Sequence, residues 1–142
     1  MKSLKVRDHM ATRLITVQPH TNVVEAMGLL LENGISGVPV VNDNAQLVGV
    51  LSEVDAMQAV MQDSYYDESV GIVADVMTSP AETVDPNEDI YSVAERFIAE
   101  RRRRYPVVNE SGALVGQISR RDALRAAHSF LMHTDKVEVE GA

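Results

Sequence analysis

No cysteine occurs in the chain, which excludes disulfides, thiolate catalysis and zinc–thiolate centres. Tryptophan is also absent and aromatic residues make up 4% of the sequence, so the core has to be aliphatic. No apolar run approaches the roughly 20 residues that cross a bilayer as a helix. The first residues, Met1-Lys2-Ser3-Leu4-Lys5, lead into no secretory pattern. These absences point to the cytoplasm and away from a membrane. A glycine-rich phosphate loop is missing as well. His9, His20, His128 and His133 share no ligand spacing on one helix face, so no metal site is expected. Ser52 and Ser119 have neither a neighbouring base nor an oxyanion motif, and the chain is read as non-catalytic.

Positive charge is scarce where it matters most. The net charge is −8, which argues against general nucleic-acid binding, where a basic field supplies most of the affinity. Between residues 14 and 95 there is no Lys or Arg at all. Arg96, Arg101, Arg102, Arg103, Arg104, Arg120, Arg121 and Arg125 then gather eight of the 13 basic residues in one stretch. That concentration reads either as a solvated helix face or as a site for a small anion.

What is present is one unit written twice. Shifted by 67 residues, the halves align without a gap from Val6 to Ala56. Asp8 and Met10 fall on Asp75 and Met77, Pro39-Val40-Val41-Asn42 on Pro106-Val107-Val108-Asn109, and Leu47-Val48-Gly49 on Leu114-Val115-Gly116. Ser52 and Asp55 fall on Ser119 and Asp122.

Inside each unit the hydrophobic period changes in a fixed order. Ile15-Thr16-Val17 is short and β-branched, and Pro19 ends it. Val23, Ala26, Met27, Leu30 and Leu31 lie at helical spacing, with Asn22 and Glu25 as a capping box and Gly34 as a left-handed stop. Residues 38–42 and 47–51 are apolar strands around the polar turn 43–46, and helical spacing resumes over 53–62. The second copy repeats this through a helix carrying Ile90, Val93, Ala94, Phe97 and Ile98, strands at 105–109 and 114–118 with Gly112 in their turn, and a helix from about Arg120. Each unit reads β-α-β-β-α, giving an α+β protein. A unit of about 50 residues buries too little surface alone, so two packed sheet to sheet are expected to share a core. Their bounds are read as 6–62 and 73–133, with an acidic linker at 63–72 and a disordered acidic tail at 134–142.

The runs Pro39-Val40-Val41-Asn42, Leu47-Val48-Gly49-Val50-Leu51-Ser52 and Asp55, repeated from Tyr105 to Asp122, resemble the signature of cystathionine-β-synthase (CBS) domains. Val6-Arg7-Asp8-His9-Met10 and Val73-Ala74-Asp75-Val76-Met77 resemble the short helix that precedes such domains. The resemblance implies a free-standing pair with pseudo-two-fold symmetry, a Bateman module. It also implies a regulatory adenine-nucleotide sensor for AMP, ADP, ATP or another adenosyl ligand. Such a module would be a homodimer acting on a separate, unidentified effector protein. The alternative is a protein–protein scaffold whose nucleotide clefts do not function.

The candidate binding residues are Asp122, Ser119, Arg121, Arg120, Arg104 and Tyr105 in the second repeat, and Asp55, Ser52 and Val38 in the first. A carboxylate accepts hydrogen bonds from both ribose hydroxyls, a role open to Asp122 and Asp55. The serines stand at helix starts, where hydroxyl and N–H donors suit phosphate oxygens. Ser-x-x-Asp is equally a capping box, which alone explains both motifs. Arg120 and Arg121 oppose the helix dipole there, a cost that a nearby phosphate would offset. The resemblance marks Arg104 as a phosphate contact, and Val38 and Tyr105 as walls for adenine or as plain core. In the first repeat the matching cations are replaced by Ser36, Gly37, Glu53 and Val54. That site therefore takes a neutral adenosyl group, borrows charge, or is empty.

Overall fold

The computed structural model describes the backbone of residues 3–66 and 70–141 and the side chains of 3–62 and 70–132. The elements in order are α1 (Val23–Asn33), β1 (Gly37–Val41), β2 (Leu47–Ser52), α2 (Glu53–Tyr66), α3 (Val73–Val76), α4 (Ile90–Glu100), β3 (Arg104–Val108), β4 (Leu114–Ser119) and α5 (Arg120–Gly141). A 3-10 turn at Val6–Asp8 precedes them. The fold is mixed helix and strand with two small antiparallel sheets, β1-β2 and β3-β4. The linker expected at 63–72 lies partly outside the described residues. Helix α2 enters that stretch as far as Tyr66. The backbone of α5 stays helical from Arg120 to Gly141, through the stretch read as a tail.

The chain divides into two compact units, and these cut across the repeats. One comprises Ile15–Ala81 with Ser111–Leu114; the other comprises Met1–Leu14, Glu82–Glu110 and Val115–Ala142. They are called the Asp55 unit and the Asp122 unit below.

In the Asp55 unit, Asn22 caps α1 by accepting from the Val24 N–H at 2.8 Å, and Gly34 ends it with φ +60°. The buried stripe Ala26 and Leu30 packs on Val38, Val40 and Leu51 of the hairpin and on Val73 of α3. Gly37 lies opposite Ser52 in the β1–β2 register, so the hairpin's open end sits where α2 begins. The expected strand at 15–17 reduces to a single parallel bridge, Val17 to Val40. Val17 donates to Pro39 O at 3.1 Å and accepts from Val41 N at 2.9 Å, and the turn through Pro19 then ends the pairing.

The Asp122 unit repeats this plan. Asp89 caps α4 by accepting from the Tyr91 N–H at 2.7 Å, and Val84 bridges Val107 in parallel. Val6, Val84, Ile90, Val93, Phe97, Tyr105, Val107 and Ile118 form its core. The residues before each repeat pack with the other repeat. Val6 N donates to Glu88 O at 2.9 Å and Ile90 N to Leu4 O at 2.8 Å, while Val73 N donates to Thr21 O at 2.8 Å. Ala11 pairs antiparallel with Gln117, and Thr78 with Val50. These crossings need glycine beneath them. A Cβ on Gly49 would stand 2.8 Å from Thr78 O, and one on Gly116 would stand 3.0 Å from Ala11 O and clash with the Met10 thioether.

Candidate functional site

Each unit closes its hairpin onto a helix start through a reciprocal Ser–Asp pair. Ser52 N donates to Asp55 Oδ2 and Asp55 N to Ser52 Oγ, both at 3.0 Å. Ser119 and Asp122 repeat both bonds at 3.0 Å. The expected capping boxes are therefore formed twice. The first helical N–H is consumed as well, because Glu53 N donates to Ser36 O and Arg120 N to Arg103 O, each at 2.9 Å. Two of the donors that a phosphate would use at each helix start are already taken.

The same bonds place the charges. The Arg120–Arg103 bond holds the start of β3 against the start of α5, so Arg103, Arg104, Ser119 and Arg120 share one corner of the Asp122 unit. Arg120 and Arg121 are exposed. Arg104 is half-buried, and its Nε is buried without a hydrogen-bond partner among the described residues. An unsatisfied buried donor costs on the order of 1–3 kcal/mol, which an anion seated there would recover. In the Asp55 unit the equivalent corner holds Ser36, Gly37, Ser52 and Glu53.

The two carboxylates also differ in what else they hold. Asp55 accepts from the Thr78 hydroxyl at 3.2 Å. Asp122 instead accepts from Arg125 at 3.1 Å, because the position matching Thr78 is Ala11. Thr78 is a polar site neighbour that the sequence reading did not single out. Its signal was available: it directly follows the Val73-Ala74-Asp75-Val76-Met77 motif, in the place Ala11 takes after Met10.

Val38 and Tyr105 point elsewhere. Both are fully buried, Val38 among Val17, Ala26 and Leu30. The Tyr105 ring lies 4.7 Å from Phe97 between centroids, with the Arg96 guanidinium 4.5 Å from its centre. Its hydroxyl donates to Glu100 Oε2 at 2.9 Å, and Arg96 pairs with both Glu88 and Glu100. Burial, then the bond to Glu100, pushes the Tyr105 phenol up to about 12. The Glu82 carboxyl, hydrogen-bonded to Glu100, is held above its ordinary range, while Glu100 is held below it by bonds from Glu82 and Tyr105. Among the described residues no group of three or more His, Cys, Asp and Glu could hold a metal ion, and no helix is long and apolar enough to cross a membrane.

Two ordered hairpin–helix copies with paired Ser–Asp caps define a tandem CBS pair. The CBS domain family matches residues 6–62 and 73–129, and the chain belongs to that family. It is 26% identical over 140 residues to the protein MK0525 of Methanopyrus kandleri, covering 99% of this chain and 70% of that one. It is 29% identical over 157 residues to the chloroplastic CBS domain-containing protein CBSX2 of Arabidopsis thaliana, covering 92% and 66%. The chain thus spans about two thirds of the length of these relatives. The crystal structure of CBSX2 in complex with AMP superposes with a TM-score of 0.80 at 32% identity, covering 90% of this chain and 98% of that one.

Proposed function

We propose that this chain is a non-catalytic, cytoplasmic regulatory module that binds an adenine nucleotide and passes its ligand state to a separate protein partner. The observation that carries this reading is the buried, unpartnered Nε of Arg104 beside the Ser119–Asp122 cap. A phosphate satisfies that donor, Arg120 or Arg121 adds charge, and Asp122 accepts from the ribose hydroxyls. The similarity to CBSX2, whose structure holds AMP, supports the same ligand class here. Tyr105 contributes by holding β3 from inside the core rather than by stacking on the base.

The module is proposed to work as a homodimer. Ala56 of α2 and Ala123 of α5 are core, while Met57 and Met61 on α2 and Leu124 and Leu131 on α5 are exposed, so each helix carries apolar side chains on its outer side as well. Sedimentation at micromolar concentration is expected to show a dimer, and monomer alone would refute this part.

Calorimetry tests the ligand. AMP or ATP is expected to bind with an affinity that falls as salt rises, because a partly exposed phosphate–Arg contact is screened. Arg104→Ala should weaken ATP more than adenosine. A scaffold reading is favoured by one observation, that both Ser–Asp pairs satisfy each other without a ligand. Native mass measurement separates the two: a co-purified nucleotide supports the sensor, and a wild type that binds no adenosyl ligand supports the scaffold.

A further inference from the structure

The Asp55 unit contains nine Asp and Glu and not one Lys or Arg; all 13 basic residues lie in the Asp122 unit, against 12 acidic ones. The same division reaches the outer sides of the two helices that follow the hairpins. On α2, Val54, Met57 and Met61 are each more than half exposed, and Glu53 is the one charged residue among its exposed described side chains. On α5, Leu124, Leu131 and Met132 are equally exposed, and the charged residues beside them are Arg120, Arg121 and Arg125. Arg125 holds Asp122 at 3.1 Å and still leaves its side chain 67% exposed. Helix α1, which packs beside α2 through Val23, Ala56 and Ala59, adds exposed Glu25 and Glu32 and no cation.

A single exposed Met or Leu is ordinary. Three of them within two or three turns, on a helix whose opposite side is already core, make a strip that gains free energy by being covered. A second copy of this chain carries the matching chemistry. Stacked on its own copy, α5 would set three arginines against three arginines while their water is removed, and α2 would set Glu53 against Glu53. Seated on α5 of a second copy, α2 covers comparable apolar area and brings Glu53, with the α1 carboxylates nearby, to guanidinium groups. Apolar burial does not choose between these arrangements, and charge does. A two-fold axis makes the mixed contact twice, α2 of each copy on α5 of the other, so the pairing closes as a dimer.

We infer that two copies of this chain pair head to tail, the outer side of α2 in one seated on the outer side of α5 in the other, and that the arginines of α5 exclude the like-with-like arrangement. This rests on the homodimer reading and deepens it, since that reading leaves open which helix covers which.

The chain has no cysteine, so single cysteines report the pairing against no background. Met57 and Leu124 are exposed and equivalent, 67 positions apart. The Met57→Cys and Leu124→Cys proteins are treated with a short bismaleimide, each alone and as an equimolar mixture after subunit exchange. Head-to-tail pairing is expected to give a covalent dimer in the mixture and none with either variant alone. A charge arm needs no cysteine at the interface. Glu53→Arg, which touches no capping bond, should weaken the dimer by about tenfold or more, and adding Arg125→Glu to the same chain should restore part of that loss. Circular dichroism confirms the fold of each variant. Cross-linking of Met57→Cys or Leu124→Cys with itself, or a dimer that Arg125→Glu alone tightens, would overturn the inference and leave the homodimer reading standing. A wild type that sediments only as monomer would overturn both.

Discussion

The two units share a backbone plan and differ in what they do with charge. At positions 67 apart, Leu29, Asn33 and Val38 of the Asp55 unit become Arg96, Glu100 and Tyr105 in the Asp122 unit. One unit fills this region with aliphatic packing; the other builds an Arg96–Glu88–Glu100–Tyr105 network around a buried ring. Both keep the Ser–Asp cap and both keep a glycine beneath the crossing segment. Backbone contacts that close the fold have been retained after duplication, and the side chains around them have diverged in charge.

The strongest way to break the shared part is at the crossings. Gly49→Ala should destabilise by about 1–3 kcal/mol, the usual cost of overpacking. The obstacle is the Thr78 carbonyl, which is pinned by Val50 N→Thr78 O at 3.0 Å and Thr78 N→Val50 O at 2.9 Å. Gly116→Ala should cost less, since its nearest obstacle is the flexible Met10 side chain. Urea midpoints of the two variants would check the order, and equal shifts would show that both segments yield alike.

The diverged part should show itself at high pH. The unfolded chain releases the Tyr105 proton near 10, whereas the folded chain holds it to about 12. Stability from this phenol is therefore intact below pH 10 and is lost as pH rises from 10 through 12. Melting temperatures across that window should fall more steeply for wild type than for Tyr105→Phe. The Asp55 unit has Val38 at the matching position and contributes no such effect.

Between the two caps, stability and binding should rank in opposite orders. Asp55→Ala removes the Ser52 acceptor and the Thr78 partner, for about 1–2 kcal/mol of stability. Asp122→Ala removes the Ser119 acceptor and an exposed pair to Arg125 that contributes little, for about 1 kcal/mol. For AMP the order should invert, with Asp122→Ala weakening binding by about 1.5–3 kcal/mol. Parallel melts and titrations would expose a single shared ranking, which would deny the two stations separate roles.

Much of this was readable in the sequence because it depends on local rules. The hairpins, the Ser-x-x-Asp caps and the Gly34 stop rest on residue type and local spacing, and the duplication on a constant shift of 67 residues. What was not readable depends on which distant segment packs where. The exchange of the residues around Val6 and Val73 between repeats leaves no periodic trace: the position of Thr78 after the Val73–Met77 motif is legible, but its hydrogen bond to Asp55 is not. Tyr105 was read as a candidate wall because its position was legible but its rotamer was not. Its burial follows from Phe97 and Arg96 closing over it, contacts that sequence spacing does not define.

The finest difference between the units lies in their left-handed residues. Of the five positive-φ positions among the described residues, four fall into two equivalent pairs: Gly34 at +60° with Arg101 at +58°, and Ala45 at +63° with Gly112 at +84°. Each pair has glycine in one copy and a side chain in the other, so the geometry is demanded by the fold while the residue suited to it was kept only once. At the end of α4 Arg101 still donates its N–H to Phe97 O at 2.9 Å, so the cap forms in spite of the side chain. A Cβ in this conformation is disfavoured by roughly 1–2 kcal/mol, part of which glycine gives back through its freer unfolded chain. Arg101→Gly and Ala45→Gly should therefore each stabilise by about 0.5–1 kcal/mol, and Gly34→Ala should destabilise by a similar amount. The Arg101 side chain is exposed, so its removal forfeits little packing. If Arg101→Gly lowered the denaturant midpoint instead, the arginine would be contributing something at the end of α4 that outweighs its backbone strain, and the charge around Arg103 and Arg104 would be the place to look for it.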